Sequence, residues 1–333
     1  MDDLESRGCT VKRVAVVATG VIGASWVAHF LAHGLDVVAT DPAPDAQERL
    51  HADLDAIWPT LERLGLATPT SRGRGRLRFE RELEAAVDGV DFVQENGPER
   101  EGFKIDLFRR LDAMLPPEVI LASSSSGLAT TRIQSGCAHP ERVVVAHPFN
   151  PPHLIPLVEV VGGRHTSEDT VLAAIAFYAA IGKHPIRVRN EIKGHIANRL
   201  QAALWREAFH LVDIGAATVE DVDTAIAEGP GLRWSVMGPF LNLHLSGGDG
   251  GIEHVVEHLG GPIADWWKDL GQPELTPALK AKVRLGVIDE MQGRSRRDAE
   301  AARDELLVEL IKDKKRLSNS VRSLPGPLPS APT

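Results

Sequence analysis

His147 stands where an apolar run, residues 142–146, breaks into His-Pro-Phe-Asn, and Glu159 follows twelve residues later inside a second run, Leu157-Val158-Glu159-Val160-Val161. A carboxylate embedded in a strand that is apolar on both sides needs a partner, because an isolated buried charge is strongly disfavoured. An imidazole suits that need. The carboxylate fixes the tautomer of the ring and stabilises its cation, and the ring removes a hydroxyl proton, chemistry worth about 10²- to 10⁴-fold in rate. Two further histidine pairs, His29 with His33 and His254 with His258, are four apart on expected helices, a spacing that metal sites use. Neither has the Glu placement of a zinc hydrolase, so no metal is expected.

A second segment, Ala18-Thr19-Gly20-Val21-Ile22-Gly23, lies between a Val-rich run and a helical pattern, and Asp41 ends the next apolar run 21 residues beyond Gly20. This is the spacing of a dinucleotide fingerprint. Gly20 lets backbone approach a pyrophosphate, Gly23 lets helix pack close on strand, and the helix start at Val21 and Ile22 offers free N–H groups with a partial positive charge. Asp41 would accept hydrogen bonds from ribose hydroxyls and repel a 2′-phosphate, which selects NAD over NADP. Ala18 replaces the first glycine of the pattern. It is harmless at negative φ and costs about 1 kcal/mol at positive φ.

These residues need a scaffold that brings strand ends together. Residues 11–18 and 35–40 read as buried strands joined by a helix over 21–33 that closes at Gly34, a βαβ unit. Residues 45–64 read as an inserted helix, residues 91–94, 119–122, 142–146 and 157–161 as further strands, and residues 103–115 and 170–181 as helical connections. The alternation predicts an α/β fold with an N-terminal Rossmann-type doubly wound sheet. Beyond 190 the Val- and Ile-rich strand runs give way to helical periodicity. The expected organisation is a NAD-binding domain over 1–190, a mainly helical substrate and dimerisation domain over 191–317, and a Pro-rich disordered tail over 318–333.

Composition narrows the partners. The 333-residue chain carries 37 Lys and Arg against 46 Asp and Glu, a net charge of −9, so nucleic acid is not an expected partner. The longest apolar stretch, residues 171–181, is well short of the ~20 residues that span a bilayer. No membrane association is expected. The Met-Asp-Asp opening lacks a signal-peptide pattern and only two cysteines occur, far apart, which points to a cytoplasmic location.

The order and spacing of Ala18 to Gly23, Glu95-Asn96-Gly97-Pro98-Glu99, Ser123 to Gly127, His147-Pro148-Phe149-Asn150-Pro151, Leu157 to Val161 and Gly194-His195-Ile196-Ala197-Asn198-Arg199 resemble the 3-hydroxyacyl-CoA dehydrogenase superfamily over nearly the whole chain. Pro-Leu-Val-Glu-Val-Val at 156–161 and Ala-Leu-Trp-Arg-Glu-Ala at 203–208 are most similar to its branch acting on free 3-hydroxy acids, which includes L-carnitine dehydrogenase and lambda-crystallin, also called L-gulonate 3-dehydrogenase. The resemblance implies NAD as cofactor and His147 as general base with Glu159 orienting it. It further implies that Ser126 and Asn198 hydrogen-bond the reacting oxygen, that Glu95 and Glu99 lie beside the nicotinamide ribose, and that Lys104 is a nearby cofactor or substrate contact. A homodimer formed through the helical domain is the family's usual assembly.

One departure bears on the substrate. Where the acyl-CoA enzymes usually read Gly-Tyr-Pro-Met-Gly-Pro, this chain has Gly231-Leu232-Arg233-Trp234-Ser235-Val236-Met237-Gly238-Pro239. A guanidinium can take a free carboxylate through two parallel hydrogen bonds, whereas a thioester has no charge to match it. Arg233 is therefore the expected carboxylate clamp, and Trp234 or Trp205 a candidate wall for a trimethylammonium group. The expected activity is NAD-dependent oxidation of a free, carnitine- or gulonate-like 3-hydroxy acid. Its alternatives are a 3-hydroxyacyl-CoA dehydrogenase and a non-catalytic, crystallin-like protein.

Overall fold

The computed structural model describes residues 10–67 and 76–322. In the first part of the chain the Val-rich runs form strands flanked by helices: β1 (Arg13–Val17), α1 (Val21–Ala32), β2 (Asp36–Thr40), α2 (Ala46–Arg63), β3 (Leu77–Phe79), α3 (Leu83–Val87), β4 (Phe92–Glu95), α4 (Glu101–Met114), β5 (Ile120–Ser123), α5 (Thr130–Ile133), β6 (Val143–Pro148), β7 (Leu157–Gly162), α6 (Glu168–Ala180) and β8 (His184–Val188). They build an eight-stranded sheet in the order β3-β2-β1-β4-β5-β6-β7-β8. The doubly wound arrangement read from the sequence is the observed one. Strand order reverses between β1 and β4, the switch point at which ligands of such sheets bind.

The last turn of the sheet departs from the parallel pattern. β7 runs antiparallel to β6, with His147 directly opposite Glu159, and β8 is parallel to β7. Residues opposite each other in an antiparallel pair project to the same face. The twelve-residue spacing of His and Glu is thus the signature of a hairpin. β8, His-Pro-Ile-Arg-Val, was not among the expected strands: it is an edge strand with Pro185 inside it and mostly exposed or half-exposed side chains, so it lacks the apolar run of a buried strand.

Alternate residues of the strands pack on two layers. Val14 and Val16 face Trp26, Phe30, Phe177 and Tyr178, while Ala15 and Val17 face Phe108, Leu111, Val143 and Val145. Trp26 stacks on Phe30 with centroids 5.1 Å apart and is wholly buried, so truncating it to alanine would remove roughly 3–5 kcal/mol.

The described residues form two compact units. One runs to Arg199 and takes in Leu307–Lys312; the other holds Leu200–Leu306 and the residues from Asp313. The first unit extends past 190 because residues 194–199 close back onto Glu159 and the loop after β5. The remaining elements are helical: α7 (Ala197–Asp213), α8 (Val219–Ala227), α9 (Pro230–Val236), α10 (Pro239–Ser246), α11 (Gly251–Asp269), α12 (Pro277–Met291) and α13 (Arg296–Arg322). In the second unit Val212, Val219 and Leu279 form the buried centre, and Thr218 and Asp221 close a capping box on α8. α13 continues through Arg322, so residues 318–322, expected in the tail, are helical; the rest of that tail lies outside the described residues. Among the described residues no helix is long and apolar enough to cross a membrane.

α1 buries His29, whose Nε2 bonds the carbonyl of Ile181 at 2.9 Å. Burial first, then the charge of Lys183, then His33, hold its pKa well below the ordinary 6.5. The unfolded chain therefore binds the proton more readily, so this contribution to stability is complete above about pH 6.5 and is lost as pH falls toward the folded value. The urea midpoint is expected to drop between about pH 7.5 and about pH 5.5, and His29→Gln to flatten that drop; an unchanged slope in the variant would show that the acid sensitivity resides elsewhere.

Candidate active site

At the end of β1 the chain turns through Ala18 at φ +67°, so the alanine occupies the left-handed region where the strain applies. Ala18 N–H bonds the Thr40 carbonyl at 2.8 Å, which holds the turn to β2. Gly20 is the N-cap of α1 and makes no side-chain cap, leaving the first N–H groups of the helix for a ligand. A Cβ at Gly20 would meet open space, whereas at Gly23 it would lie 2.0 Å from the Ala18 carbonyl oxygen. Gly20 thus fronts a vacant cradle and Gly23 permits the close helix–strand approach. Val21, the first helical residue, is exposed, and Ile22 packs partly against the core.

Asp41, just past β2, accepts hydrogen bonds from Thr19 N–H at 2.9 Å and Ala43 N–H at 2.9 Å, one to each carboxylate oxygen. The carboxylate is held by the same turn that opens the helix N-terminus. An uncapped positive helix end with an acid one strand away fits the pyrophosphate and adenosine ribose of a dinucleotide.

The loops after β4 and β5 are joined by a buried charge network. Glu95 takes Lys104 Nζ at 2.7 and 2.8 Å, Gly97 N–H at 2.6 Å and the Ser123 hydroxyl at 2.6 Å. Both members of the ion pair are fully buried. Both side chains lie beneath the surface, and Glu99, with its side chain 40% exposed, is the exposed acid of the group. Glu99 Oε1 accepts the Ser125 hydroxyl at 2.6 Å and the N–H groups of Ser126 and Gly127, each at 3.0 Å. Burial raises the Glu99 carboxyl, but the Ser125 hydroxyl, the Lys104 charge and the N–H groups of Gly127 and Leu128 outweigh it and hold it below the usual range.

His147 and Glu159 meet as the hairpin register requires. His147 Nδ1 lies 2.9 Å from Glu159 Oε2, and Glu159 Oε1 accepts the N–H groups of Ile196 and Ala197 at 2.8 and 2.9 Å. An ionised carboxylate only accepts, so Nδ1 donates to it, and Nε2 is the ring nitrogen not engaged with Glu159. Burial pushes the Glu159 carboxyl up, yet the bonds from His147, Ala197 and Ile196 prevail and keep it below the ordinary range. Glu159 also sits at the start of α7, where a negative charge is favoured.

Asn198, in the first turn of α7, donates from Nδ2 to the Ser126 carbonyl at 3.3 Å, and Ser126 itself is exposed. Ser126, Glu99, His147, Glu159 and Asn198 therefore gather at the carboxyl edge of the sheet, in the first unit. Arg233 and Trp234 lie in the second unit, on α9, with Trp234 44% exposed.

One residue beside the pair was not assigned from the sequence. His195 is buried with its ring centroid 5.4 Å from that of His147 and its Nε2 donating to the Ser125 carbonyl at 3.3 Å. Its backbone is left-handed at φ +51°, directly after Gly194 at φ +78°. Burial first, and next the repulsion it would meet from a protonated His147, lower its pKa and favour the neutral ring. The only sequence signal was its place beside Gly194 in the segment that opens α7.

The open helix N-terminus at the switch point, the acid beside it and the His147–Glu159 pair stand on a doubly wound sheet of the class used by NAD-dependent oxidoreductases. Residues 13–192 match the family model for the NAD binding domain of 3-hydroxyacyl-CoA dehydrogenase, and residues 194–295 match the model for its C-terminal domain. The chain belongs to the 3-hydroxyacyl-CoA dehydrogenase family. It is 52% identical over 307 residues to L-carnitine dehydrogenase of Streptomyces coelicolor, covering 92% of this chain and 96% of that one. Against L-carnitine dehydrogenase of Bacillus cereus the identity is 48% over 302 residues, 91% and 92% of the two chains. Among solved structures it resembles 5-formyl-3-hydroxy-2-methylpyridine 4-carboxylic acid 5-dehydrogenase, an NAD⁺-dependent dismutase, with a TM-score of 0.78, 30% identity and coverage of 92% and 99%.

The left-handed alanine supplies a direct check of the turn. Ala18→Gly is expected to raise stability by about 1 kcal/mol, seen as a higher urea midpoint at unchanged slope. A lower midpoint would mean that the Ala18 methyl packs more favourably than its backbone is strained.

Proposed function

We propose that this protein oxidises L-carnitine, or a closely similar free 3-hydroxy acid, at C3. The observation that carries the reading is the 52% identity, over nearly the full length of both chains, to an L-carnitine dehydrogenase, combined with the His147–Glu159 pair at 2.9 Å. NAD, when bound, supplies the hydride acceptor. The turn from Ala18 to Gly23 and Asp41 hold it, with Glu99 beside the nicotinamide ribose and Glu95 and Lys104 fixing the loops on which Glu99 acts. His147 Nε2 takes the proton of the C3 hydroxyl, and Glu159 stabilises the resulting imidazolium. Ser126 and Asn198 hydrogen-bond the reacting oxygen. Arg233 clamps the substrate carboxylate, and Trp234 offers its face to the trimethylammonium group.

The test is NADH formation at 340 nm with L-carnitine, D-carnitine, L-gulonate and a 3-hydroxyacyl-CoA. L-carnitine is expected to be the preferred substrate, with His147→Asn lowering kcat by roughly 10²- to 10⁴-fold and Arg233→Met raising KM by ~10²-fold. Preference for the thioester with Arg233→Met unaffected would replace this reading by the acyl-CoA one. Absence of turnover with every compound would favour the non-catalytic alternative.

We further propose a homodimer formed through the helical unit. There Phe240 is 80% exposed and Trp266 and Trp267 are 65% and 69% exposed, large apolar side chains that a second copy would cover. Sedimentation equilibrium is expected to return twice the chain mass; a monomer at micromolar concentration would refute the assembly.

A further inference from the structure

Residues 149–156 connect β6 to β7 and so set the register that places His147 opposite Glu159. That connection is held from beneath by groups with no part in the reaction. Lys183, buried between α6 and β8, donates from Nζ to the carbonyls of Pro152 and Ile155, the latter at 3.1 Å, with its ammonium 5.0 Å from the Trp26 ring centroid. On the other flank, Ser25 of α1 accepts His153 N–H at 2.7 Å and meets His153 Nδ1 at 2.8 Å. Ser25 lies two residues past Gly23 on the helix that opens the nucleotide cradle.

A lysine in such a place is a poor choice for packing alone. Burial drives its pKa down to about 7, the measure of how unfavourable the charge is there. A methionine of similar length would fill the space without that penalty, so the amine is explained by what it donates to. Both of these acceptors are carbonyls of one connection, the one between the two members of the acid–base pair.

We propose that Lys183, with Ser25 as its counterpart, is a positioning residue that holds the β6–β7 connection and thereby aligns His147 with the hydroxyl to be oxidised. The inference rests on the assignment of His147 as the base. Neither side chain touches the reacting atoms. Their loss therefore degrades the geometry of proton removal, and the nucleotide cradle is left as it was. A misplacement of about 1 Å at a reacting group lowers rate by roughly 10²-fold.

The test compares Lys183→Met, Ser25→Ala and His147→Asn with the unaltered protein, using saturating L-carnitine and NADH sites counted by fluorescence titration. Counting sites removes any misfolded fraction, so a merely stabilising role would leave kcat per site unchanged. The expected result is kcat per site lowered about 10- to 100-fold in Lys183→Met and about 5-fold in Ser25→Ala, with the NADH Kd within about twofold. Should Lys183→Met fail to fold, the smaller Ser25→Ala change decides. Normal kcat per site in both variants while His147→Asn is inactive overturns the positioning role and leaves the base assignment standing. A loss confined to NADH affinity overturns it as well. Activity retained by His147→Asn overturns the base assignment itself, and this inference with it.

Discussion

The Glu159 carboxylate lies wholly inside the first unit, and three donors converge on it: the Nδ1–H of His147 on one oxygen, and the N–H groups of Ile196 and Ala197 on the other. A buried carboxylate left short of donors would be driven to take up a proton. Supplying those donors shapes the surroundings. His147 stands across a strand pair, with β7 running antiparallel to β6. The two N–H groups have to arrive side by side at the start of α7, which requires the chain to turn through two left-handed residues, Gly194 and His195.

Glu95 meets the same demand with a different outcome. Its partners include a lysine, so its charge is matched inside the protein and the network is closed. Such a pair does not favour folding through its own energy, since desolvation offsets most of the attraction, but removal of either member would leave a buried charge alone. Its effect is geometric: the loops after β4 and β5 are tied together, and Glu99 is presented above them. The partner of Glu159 is instead a ring with one nitrogen left over. The first arrangement is finished by its own bonds, and the second leaves Nε2 of His147 outside the bond to Glu159.

What the sequence showed follows from this difference. The His147–Glu159 pair was legible because an acid inside an apolar strand is anomalous by itself, and a break after the preceding strand supplied the obvious partner. The nucleotide turn was legible because glycine spacing and a distant aspartate reflect backbone geometry. Glu95 and Lys104 were legible as candidate site residues but not as a buried pair, because the eight residues between them run from a strand to a helix and spacing does not say which side chains turn inward. His195 was hidden for a related reason. Its neighbour in space, His147, is 48 residues away, and no local pattern marks a left-handed histidine. β8 escaped because edge strands do not bury both faces.

Ala18 shows why the turn was readable despite a residue that disfavours it. At φ +67° an alanine is held where glycine would rest without strain. It stays there because its N–H is fixed to Thr40, the carbonyl faces Gly23 across a gap that no Cβ could enter, and the next residue is bonded to Asp41. With the backbone set from three directions, a penalty of about 1 kcal/mol is too small to move it. The fingerprint is therefore a property of the hydrogen bonds between β1, α1 and β2, and its first glycine is the position where relief of strain, not formation of the turn, is at stake.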